Sequence, residues 1–189
     1  MQRLTACARA IRVTCAALIA LVGTDSAAQG VPPAAGCRSA EAAQFDFWVG
    51  DWNVAWRNAD GTRSSGRNRI ARTLDGCAIV EQFDGRPGSP LQGTSVSVFD
   101  RASGVWRQTW VDNTGAWLVF EGGWASGAQS HDGRMQLIRR ATVNGRAVVQ
   151  RMVFHTIRPD ALTWDWQRSD DDGVTWQTTW QLNYTRRPQ

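Results

Sequence analysis

From residue 50 onward the chain consists of short segments in which apolar and polar side chains alternate. Trp52, Val54 and Trp56 alternate with polar neighbours, and a period of two is that of a half-buried β-strand. Turn-forming groups such as Asp60-Gly61 and Asn144-Gly145 separate the segments. The pattern predicts about ten strands, among them residues 79–83, 94–99, 105–112, 116–121, 148–157, 162–168 and 174–186. Strands at this spacing, with no long helical pattern after residue 50, favour one all-β domain, a sandwich or a barrel.

A different period precedes the first strand. Four apolar residues have the spacing i, i+3, i+4 and i+7 of one helix face: Phe45, Trp48, Val49 and Trp52. Gly50 is a suitable residue to end a helix. The sequence therefore predicts a short N-terminal helix that leads into the first strand.

Residues 1–28 have the features of a secretory signal peptide. Three arginines precede an apolar run over residues 13–22, which is shorter than the ~20 residues that a membrane-spanning helix needs. Small residues at 26–28 suit a signal peptidase, and we place cleavage after Ala28. An N-terminal membrane anchor is the alternative interpretation. We therefore predict an exported protein, periplasmic or extracellular, with a disordered lead-in over residues 29–38 and a single barrel-like domain over residues 39–189.

One pair of cysteines remains after the signal segment is removed, namely Cys37 and Cys77. An even pair in an oxidising compartment predicts a disulfide bond. Lipidation of Cys37 is a competing interpretation, because the preceding Ala34-Ala35-Gly36 faintly resembles a lipoprotein cleavage site. The disulfide is the expected outcome.

Charge and ligand spacing count against several classes of partner. The chain contains no lysine and no basic run, and loss of residues 1–28 lowers the formal net charge of +4 by two units. Nucleic acid is therefore not an expected partner. Two cysteines and the distant His131 and His155 lack the spacing of a zinc site, so we expect no metal and no cofactor.

Two ends of the predicted sheet carry a pair of residues that suggests a closed barrel. Gly50-Asp51-Trp52 opens the first strand, and Arg186 stands at the end of the last one. The arrangement resembles lipocalin-like proteins, in which a Gly-x-Trp at the barrel entrance packs under an arginine of the final strand. An arginine can stack its flat guanidinium on an indole face. Trp52 and Arg186 are therefore predicted to be structural partners.

The last hairpin contains a second motif. Residues 169–176 match the Asp-box pattern Ser-x-Asp-x-Gly-x-Thr-Trp. In such a turn aspartate side chains accept backbone N–H groups, glycine adopts a positive φ and the tryptophan folds under the hairpin. We interpret the motif as a structural turn and not as a sugar-processing site.

Several motifs together resemble a family of bacterial exported proteins of unknown function. They are Phe45-Asp46-Phe47-Trp48-Val49-Gly50-Asp51-Trp52, Leu74-Asp75-Gly76-Cys77, Trp106-Arg107-Gln108-Thr109-Trp110-Val111-Asp112 and the hairpin over residues 169–176. The resemblance spans residues 37–187 and implies a calycin-like barrel, related in architecture to lipocalins and haem-binding nitrobindins. It implies no function. Haem is not expected, because neither His131 nor His155 stands at a matching motif.

The eleven tryptophans make a barrel interior the first place to expect a ligand. Along residues 105–112, tryptophans share one strand face with Gln108 and Asp112. A face of this kind suits a small, partly apolar ligand with a polar group, and an outward face with shielding aromatic side chains would have the same composition. The candidate ligand-binding residues are Gln108, Trp110, Asp112, Trp117, Glu121, Arg151, Trp164 and Trp166.

Three hypotheses of function follow. The first is an exported protein that binds a small molecule inside a barrel of about ten strands. The second is a barrel enzyme, a hydrolase or isomerase that uses a carboxylate or His155, although the sequence has no Gly-x-Ser-x-Gly elbow, phosphate loop or paired-histidine metal motif. The third is a structural or partner-binding module with tryptophans on an outer face. The residues leave the ligand and the oligomeric state open.

Overall fold

The computed structural model describes residues 35–125 and 133–188. The predicted signal peptide over residues 1–28 lies outside these ranges, as does the greater part of the predicted lead-in. The described residues lie in one compact unit. In those residues no helix has both the length and the apolar character needed to cross a membrane.

Ten antiparallel strands form a closed barrel, which confirms the predicted all-β class and barrel architecture. Each strand pairs with its neighbours in sequence, and β1 pairs with β10 to close the sheet. Closure removes the free sheet edges that would otherwise invite pairing with other chains. The strands are β1 Gly50–Arg57, β2 Arg63–Thr73, β3 Ala78–Asp84, β4 Gln92–Asp100, β5 Val105–Asp112, β6 Trp117–Ala125, β7 Arg134–Val143, β8 Arg146–His155, β9 Ala161–Ser169 and β10 Gln177–Arg186.

Helical structure in the described residues is limited to the 3-10 helices Ala35–Arg38, Asp46–Trp48 and Leu74–Gly76. The segment before β1, where the sequence predicts a short helix, consists of turns followed by Asp46–Trp48. Phe45, Trp48 and Trp52 are each at most 1% exposed. The spacing of these apolar residues therefore reflects how the segment is buried against the barrel.

Residues 39–49 close the end of the barrel at which β1 begins, and we call this the closed end. The ring of Phe45 contacts those of Trp106 and Phe154 edge-on, at centroid distances of 5.0 and 5.2 Å. Trp52 Nε1 donates a hydrogen bond of 2.8 Å to the carbonyl oxygen of Trp48. A disulfide bond joins Cys37 to Cys77 and so connects the chain before this segment to the β2–β3 connection.

Arg186 also stabilises the closed end. Its guanidinium carbon lies 4.1 Å from the ring centre of Trp52. It donates hydrogen bonds to the carbonyl oxygens of Val49 (2.9 Å) and Pro159 (2.7 Å). Gly50 has φ +138°, and a Cβ atom there would collide with the guanidinium, so glycine serves both the backbone conformation and the packing of Arg186.

The hairpin between β9 and β10 is held by its own hydrogen bonds. Ser169 Oγ accepts the backbone N–H groups of Asp171 and Gly173, and the Asp171 carboxylate accepts bonds from Thr175. These bonds, that of the Thr175 side chain first, lower the pKa of Asp171 to about 2. Trp176 Nε1 donates to the carbonyl oxygen of Gly173. The hairpin is thus an internally bonded turn.

Candidate functional site

The inward side chains enclose a cavity of about 190 Å³. Trp48, which lies in the segment at the closed end, forms part of its floor, and Leu91 and Asp112 lie at its other extreme. Trp48 is 1% exposed, whereas Leu91 and Asp112 are half-buried. The cavity is therefore reached from the end that carries the β3–β4 and β5–β6 connections, which we call the mouth.

The wall of the cavity is mainly aromatic. Trp180 packs edge-on against Trp164 and Phe83, at centroid distances of 5.7 and 6.0 Å, and Phe120 packs in the same way against Trp166 at 5.6 Å. Edge-to-face contacts of this kind are a favoured arrangement of aromatic pairs. The wall residues include Phe83, Trp110, Leu118, Phe120, Met152, Phe154, Trp164, Trp166, Trp180 and Leu182.

The floor contains a buried carboxyl group, that of Glu81 on β3. Glu81 is 6% exposed. Its Oε1 accepts a 2.7 Å hydrogen bond from Asn68 Nδ2, and its Oε2 accepts a 2.7 Å bond from Ser95 Oγ. Burial raises the pKa of Glu81 to about 7, because desolvation outweighs the two hydrogen bonds that favour the ionised form. Glu81 therefore changes its charge near neutral pH.

Two other polar groups lie near this carboxyl group. The Tyr184 hydroxyl accepts a 3.0 Å hydrogen bond from Asn68 Nδ2, and burial first, then the charge of Glu81, raises the pKa of Tyr184. Trp48 Nε1 is a neighbour of this hydroxyl. Within the described ranges, the N–H group of Trp48 and the Oδ1 atom of Asn68 are buried without a hydrogen-bond partner. The N–H group of Trp48 is thus a buried donor at the floor that makes no hydrogen bond to any described residue, although the Tyr184 hydroxyl is its neighbour.

Asp112 and Trp110 form the polar side of the mouth. Trp110 Nε1 donates a 2.9 Å hydrogen bond to Asp112 Oδ2, and the backbone N–H of Thr114 donates one of 2.9 Å to Oδ1. Partial burial raises the pKa of Asp112, but its hydrogen bonds, that from the Thr114 hydroxyl first, outweigh burial and hold the pKa below its ordinary value. A Cβ atom at Gly93 would collide with the Trp110 ring, so this glycine lets the indole lie against β4.

Two arginines belong to the inner faces of their strands near the mouth but do not line the cavity. Arg139 on β7 donates a 2.9 Å hydrogen bond to Gln150, and its guanidinium carbon lies 5.8 Å from the ring centre of Phe120. Burial lowers the pKa of Arg139. Arg168 on β9 pairs with Asp170 at 2.6 Å. Each guanidinium therefore already has a polar partner.

Four of the predicted ligand-binding residues line the cavity: Trp110, Asp112, Trp164 and Trp166. Gln108 also faces the interior. It is 2% exposed and donates a 2.8 Å hydrogen bond to Ser97 Oγ, but it lies nearer the closed end and does not line the cavity. The sequence left open whether the face of 105–112 that carries Gln108, Trp110 and Asp112 points inward or outward, and the structure turns it inward.

Three other candidates, Trp117, Glu121 and Arg151, lie on the outer face of the barrel. Trp117 is 72% exposed, and Glu121 pairs with Arg107 at 3.2 Å. The inward residues of β6 are instead Leu118 and Phe120, and successive side chains of a strand point to opposite faces. Trp117 and Glu121 accordingly do not contribute to this cavity.

Arg151 lies on the outer face of β8, because successive side chains of a strand alternate and the adjacent Met152 and the following inward residue, Phe154, line the cavity. Its guanidinium carbon is 3.7 Å from the ring centre of Trp176. Its Nε donates a 2.7 Å hydrogen bond to Gln167. Arg151 thus holds the β9–β10 hairpin against the outer wall.

His155 also faces away from the cavity. Its Nε2 lies 3.2 Å from Asp165 Oδ2, and Asp165 accepts a further 2.8 Å bond from Gln181. The described residues contain no group of three or more side chains placed to hold a metal ion. Among the described residues, the candidate bases that line the cavity are the carboxylates of Glu81 and Asp112.

Glu81 and Tyr184 are polar residues of the cavity lining that were not among the predicted ligand-binding residues. A signal for Glu81 was present, because it stands between Ile79 and Phe83 on the otherwise apolar face of a strand. Tyr184 is the chain's one tyrosine. Its position beside Glu81 depends on the closure of β10 against β1, which no local pattern reveals.

Comparison with known proteins identifies a family. The family model described as "Protein of unknown function (DUF1579)" matches residues 39–186, which include all ten strands. No curated protein matches the chain. The function must therefore be inferred from the geometry of the cavity.

Proposed function

The chain belongs to the DUF1579 family of proteins of unknown function, and from that premise we propose that it binds one small, largely apolar molecule inside the barrel. The observation that carries the proposal is the cavity of about 190 Å³, which has an aromatic wall and places its polar groups at the floor and the mouth. Concave, mostly apolar sites with a few convergent polar groups are typical of small-molecule binding.

The volume limits the size of the ligand. An apolar cavity of ~150 Å³ holds benzene, whereas pockets for drug-sized molecules span roughly 300–1,000 Å³. A cavity of about 190 Å³ therefore suits one ring with a short substituent. The tryptophan faces of the wall favour a planar ring over a branched chain.

The floor supplies orientation. The Glu81 carboxylate accepts two hydrogen bonds, from Asn68 and Ser95, whereas a carboxylate offers about four acceptor positions. A ligand with a hydrogen-bond donor at its inner end would use the remaining positions, while its apolar part would occupy the wall. This supports a ligand with one polar end.

We place this activity outside the cytoplasm. Two observations support export: the signal-like pattern of residues 1–28 and the disulfide bond between Cys37 and Cys77. Disulfide bonds persist mainly in oxidising compartments.

A second candidate function is acid–base catalysis in the same cavity. The observation that favours it is Glu81, a buried carboxyl group whose pKa of about 7 suits proton transfer near neutral pH. In that case bound ligand would be converted, and Glu81→Gln would abolish turnover without abolishing binding. Mass spectrometry of candidate ligands incubated with the protein distinguishes the two functions.

A matched pair of substitutions tests ligand binding. Leu118 lines the cavity near the mouth, whereas the adjacent Val119 faces outward and is 54% exposed. We expect the neutral probe 2-phenylethanol to bind the wild-type protein and Val119→Trp, and to lose at least about tenfold in affinity for Leu118→Trp, because the new indole fills the cavity. Isothermal titration calorimetry measures the affinities. Equal affinity for both variants would place the binding site elsewhere.

A further inference from the structure

We propose that the ligand of this cavity is a small organic cation, a ring-bearing amine whose ammonium group contacts Glu81 while its ring lies among the tryptophans. The inference rests on the proposed binding function and adds the chemical class of the ligand. It follows from the charge of the lining, the hydrogen bonding of Glu81 and the aromatic character of the wall.

The ionisable groups that line the cavity are acidic. Glu81 lies at the floor and Asp112 at the mouth, and the third titratable group, Tyr184, is neutral. No arginine lines the cavity in the described part of the chain, although the sequence as a whole carries 21 basic residues and a net charge of +4. The ionisable side chains of the cavity lining are therefore acidic in a chain whose net charge is positive.

Glu81 has unused capacity for a cation. A carboxylate offers about four acceptor positions, and this one accepts single bonds from the neutral groups of Asn68 and Ser95. No cationic side chain contributes to its environment among the described residues. Buried charges are normally paired, because an isolated one is costly. An ammonium group at the floor would supply the partner.

The wall suits the same ligand. The negative ring faces of tryptophan and phenylalanine attract cations, and cages of such rings are a common means of binding organic ammonium groups. Trp48 and Trp164 line this cavity, and so do Trp180 and Phe83. A purely apolar ligand would gain from these rings but would leave Glu81 unpaired.

The acidic groups of the cavity lining disfavour an anionic ligand. Asp112 is ionised at neutral pH because its hydrogen bonds lower its pKa, and a carboxylate ligand would have to pass it and approach Glu81. Arg139 and Arg168, the arginines on inner strand faces near the mouth, lie outside the lining and already bond to Gln150 and Asp170. The charges that face the cavity thus favour positive ligands.

Three probes of similar size test the charge preference: 2-phenylethylamine, 2-phenylethanol and phenylacetate. We expect the wild-type protein at about pH 8, where Glu81 is ionised, to bind the amine at least about tenfold more tightly than the alcohol and to bind phenylacetate most weakly. Glu81→Gln should lower the affinity for the amine by about tenfold and that for the alcohol much less. Glu121→Gln, which removes an exposed carboxylate from the outer face, is the matched control and should change neither.

A proton measurement on the wild-type protein gives an independent test. Near pH 6.5, below the pKa of about 7, Glu81 is largely protonated, so an amine that pairs with it should release up to about three-quarters of a proton, while the alcohol should release none. Calorimetry in buffers of different ionisation enthalpy measures this number. It remains decisive if Glu81→Gln fails to fold.

The outcomes separate the two proposals. If the alcohol or phenylacetate binds as tightly as the amine and no proton is released, the cation inference is overturned and the binding function stands. If none of the three probes binds the wild-type protein, both are overturned. Preference for the amine together with proton release supports both.

Discussion

Two carboxyl groups of the cavity acquire opposite properties from their surroundings. Glu81 and Asp112 both accept hydrogen bonds, yet burial dominates at the floor and raises the pKa of Glu81, whereas hydrogen bonds dominate at the mouth and lower that of Asp112. Asp112 therefore stays ionised near neutral pH, while Glu81 gains or loses its charge there. The environment, more than the residue type, decides which of the two can act as a switch.

Glu81 should make the stability of the protein depend on pH. Its pKa is raised from 4.5 to about 7 on folding, so the native state holds its proton more tightly than the unfolded chain. Glu81 therefore contributes on the order of 3 kcal/mol to the free energy of unfolding. This contribution is complete below about pH 4.5 and is lost as the pH rises through about 7. Urea denaturation at about pH 5 and pH 8 measures the change.

Glu81→Gln isolates this effect from other titrating groups. We expect the stability of the variant to fall less between the two pH values than that of the wild type, because glutamine has no proton to lose. The exposed Glu121→Gln should behave as wild type. Identical pH dependence in Glu81→Gln and wild type would contradict the raised pKa.

At the scale of elements, β1 and β10 meet at the closed end through Arg186. Its planar guanidinium stacks on Trp52 and donates to two carbonyl oxygens, those of Val49 and Pro159. A lysine at this position would keep the positive charge, but its ammonium group has no flat face to stack on an indole and no planar set of N–H donors. The residue thus joins the last strand to the first strand and to the segment that precedes it.

Arg186→Lys should therefore destabilise the protein by about 1–3 kcal/mol. The neighbouring Arg187→Lys, in an exposed position, should change stability by less than about 0.5 kcal/mol. Chemical denaturation of both variants measures the difference. Equal stability of the two would show that the arginine–indole stack contributes nothing that a lysine cannot replace.

At the scale of the whole molecule, one end of the barrel is closed and the other gives access to the cavity. The segment over residues 39–49 and the disulfide bond lie at the closed end, while Leu91 and Asp112 mark the mouth. The closed end supplies the buried aromatic packing, and the mouth keeps partly exposed rings. Stability and ligand access therefore depend on opposite ends of the same barrel.

Removal of the disulfide bond should separate these two properties. Replacement of both Cys37 and Cys77 by serine opens a loop with a sequence separation of 40 residues, which should lower the free energy of unfolding by about 2–4 kcal/mol. We expect the folded variant to keep its affinity for 2-phenylethanol, because the mouth is unchanged. Denaturation and calorimetry measure the two quantities, and loss of binding in a folded variant would contradict this separation.

Some features of the protein follow from the sequence because they depend on neighbouring residues. The alternation around Trp52 and the turn groups between segments predicted an all-β domain of about ten strands, a sandwich or a barrel. The resemblance to lipocalin-like proteins favoured the barrel, and the ten strands form one. The face of 105–112 that Gln108, Trp110 and Asp112 share and the hairpin over 169–176 are likewise visible in local patterns, whereas the direction of that face was decided by the tertiary structure. A period of two is a local property of the strand, and so is a self-bonded turn.

The choice of inner and outer face on β6 was decided by the tertiary structure. Both faces of that strand carry aromatic residues, Trp117 on one and Phe120 on the other, so composition does not distinguish them. The register of the closed sheet turns Phe120 inward. The properties of Glu81 have the same origin, because Asn68 reaches both Glu81 and Tyr184, and Tyr184 is 116 residues away in sequence. A desolvated carboxyl group exists only when distant strands surround it, and a sequence pattern limited to neighbours carries no information about that enclosure.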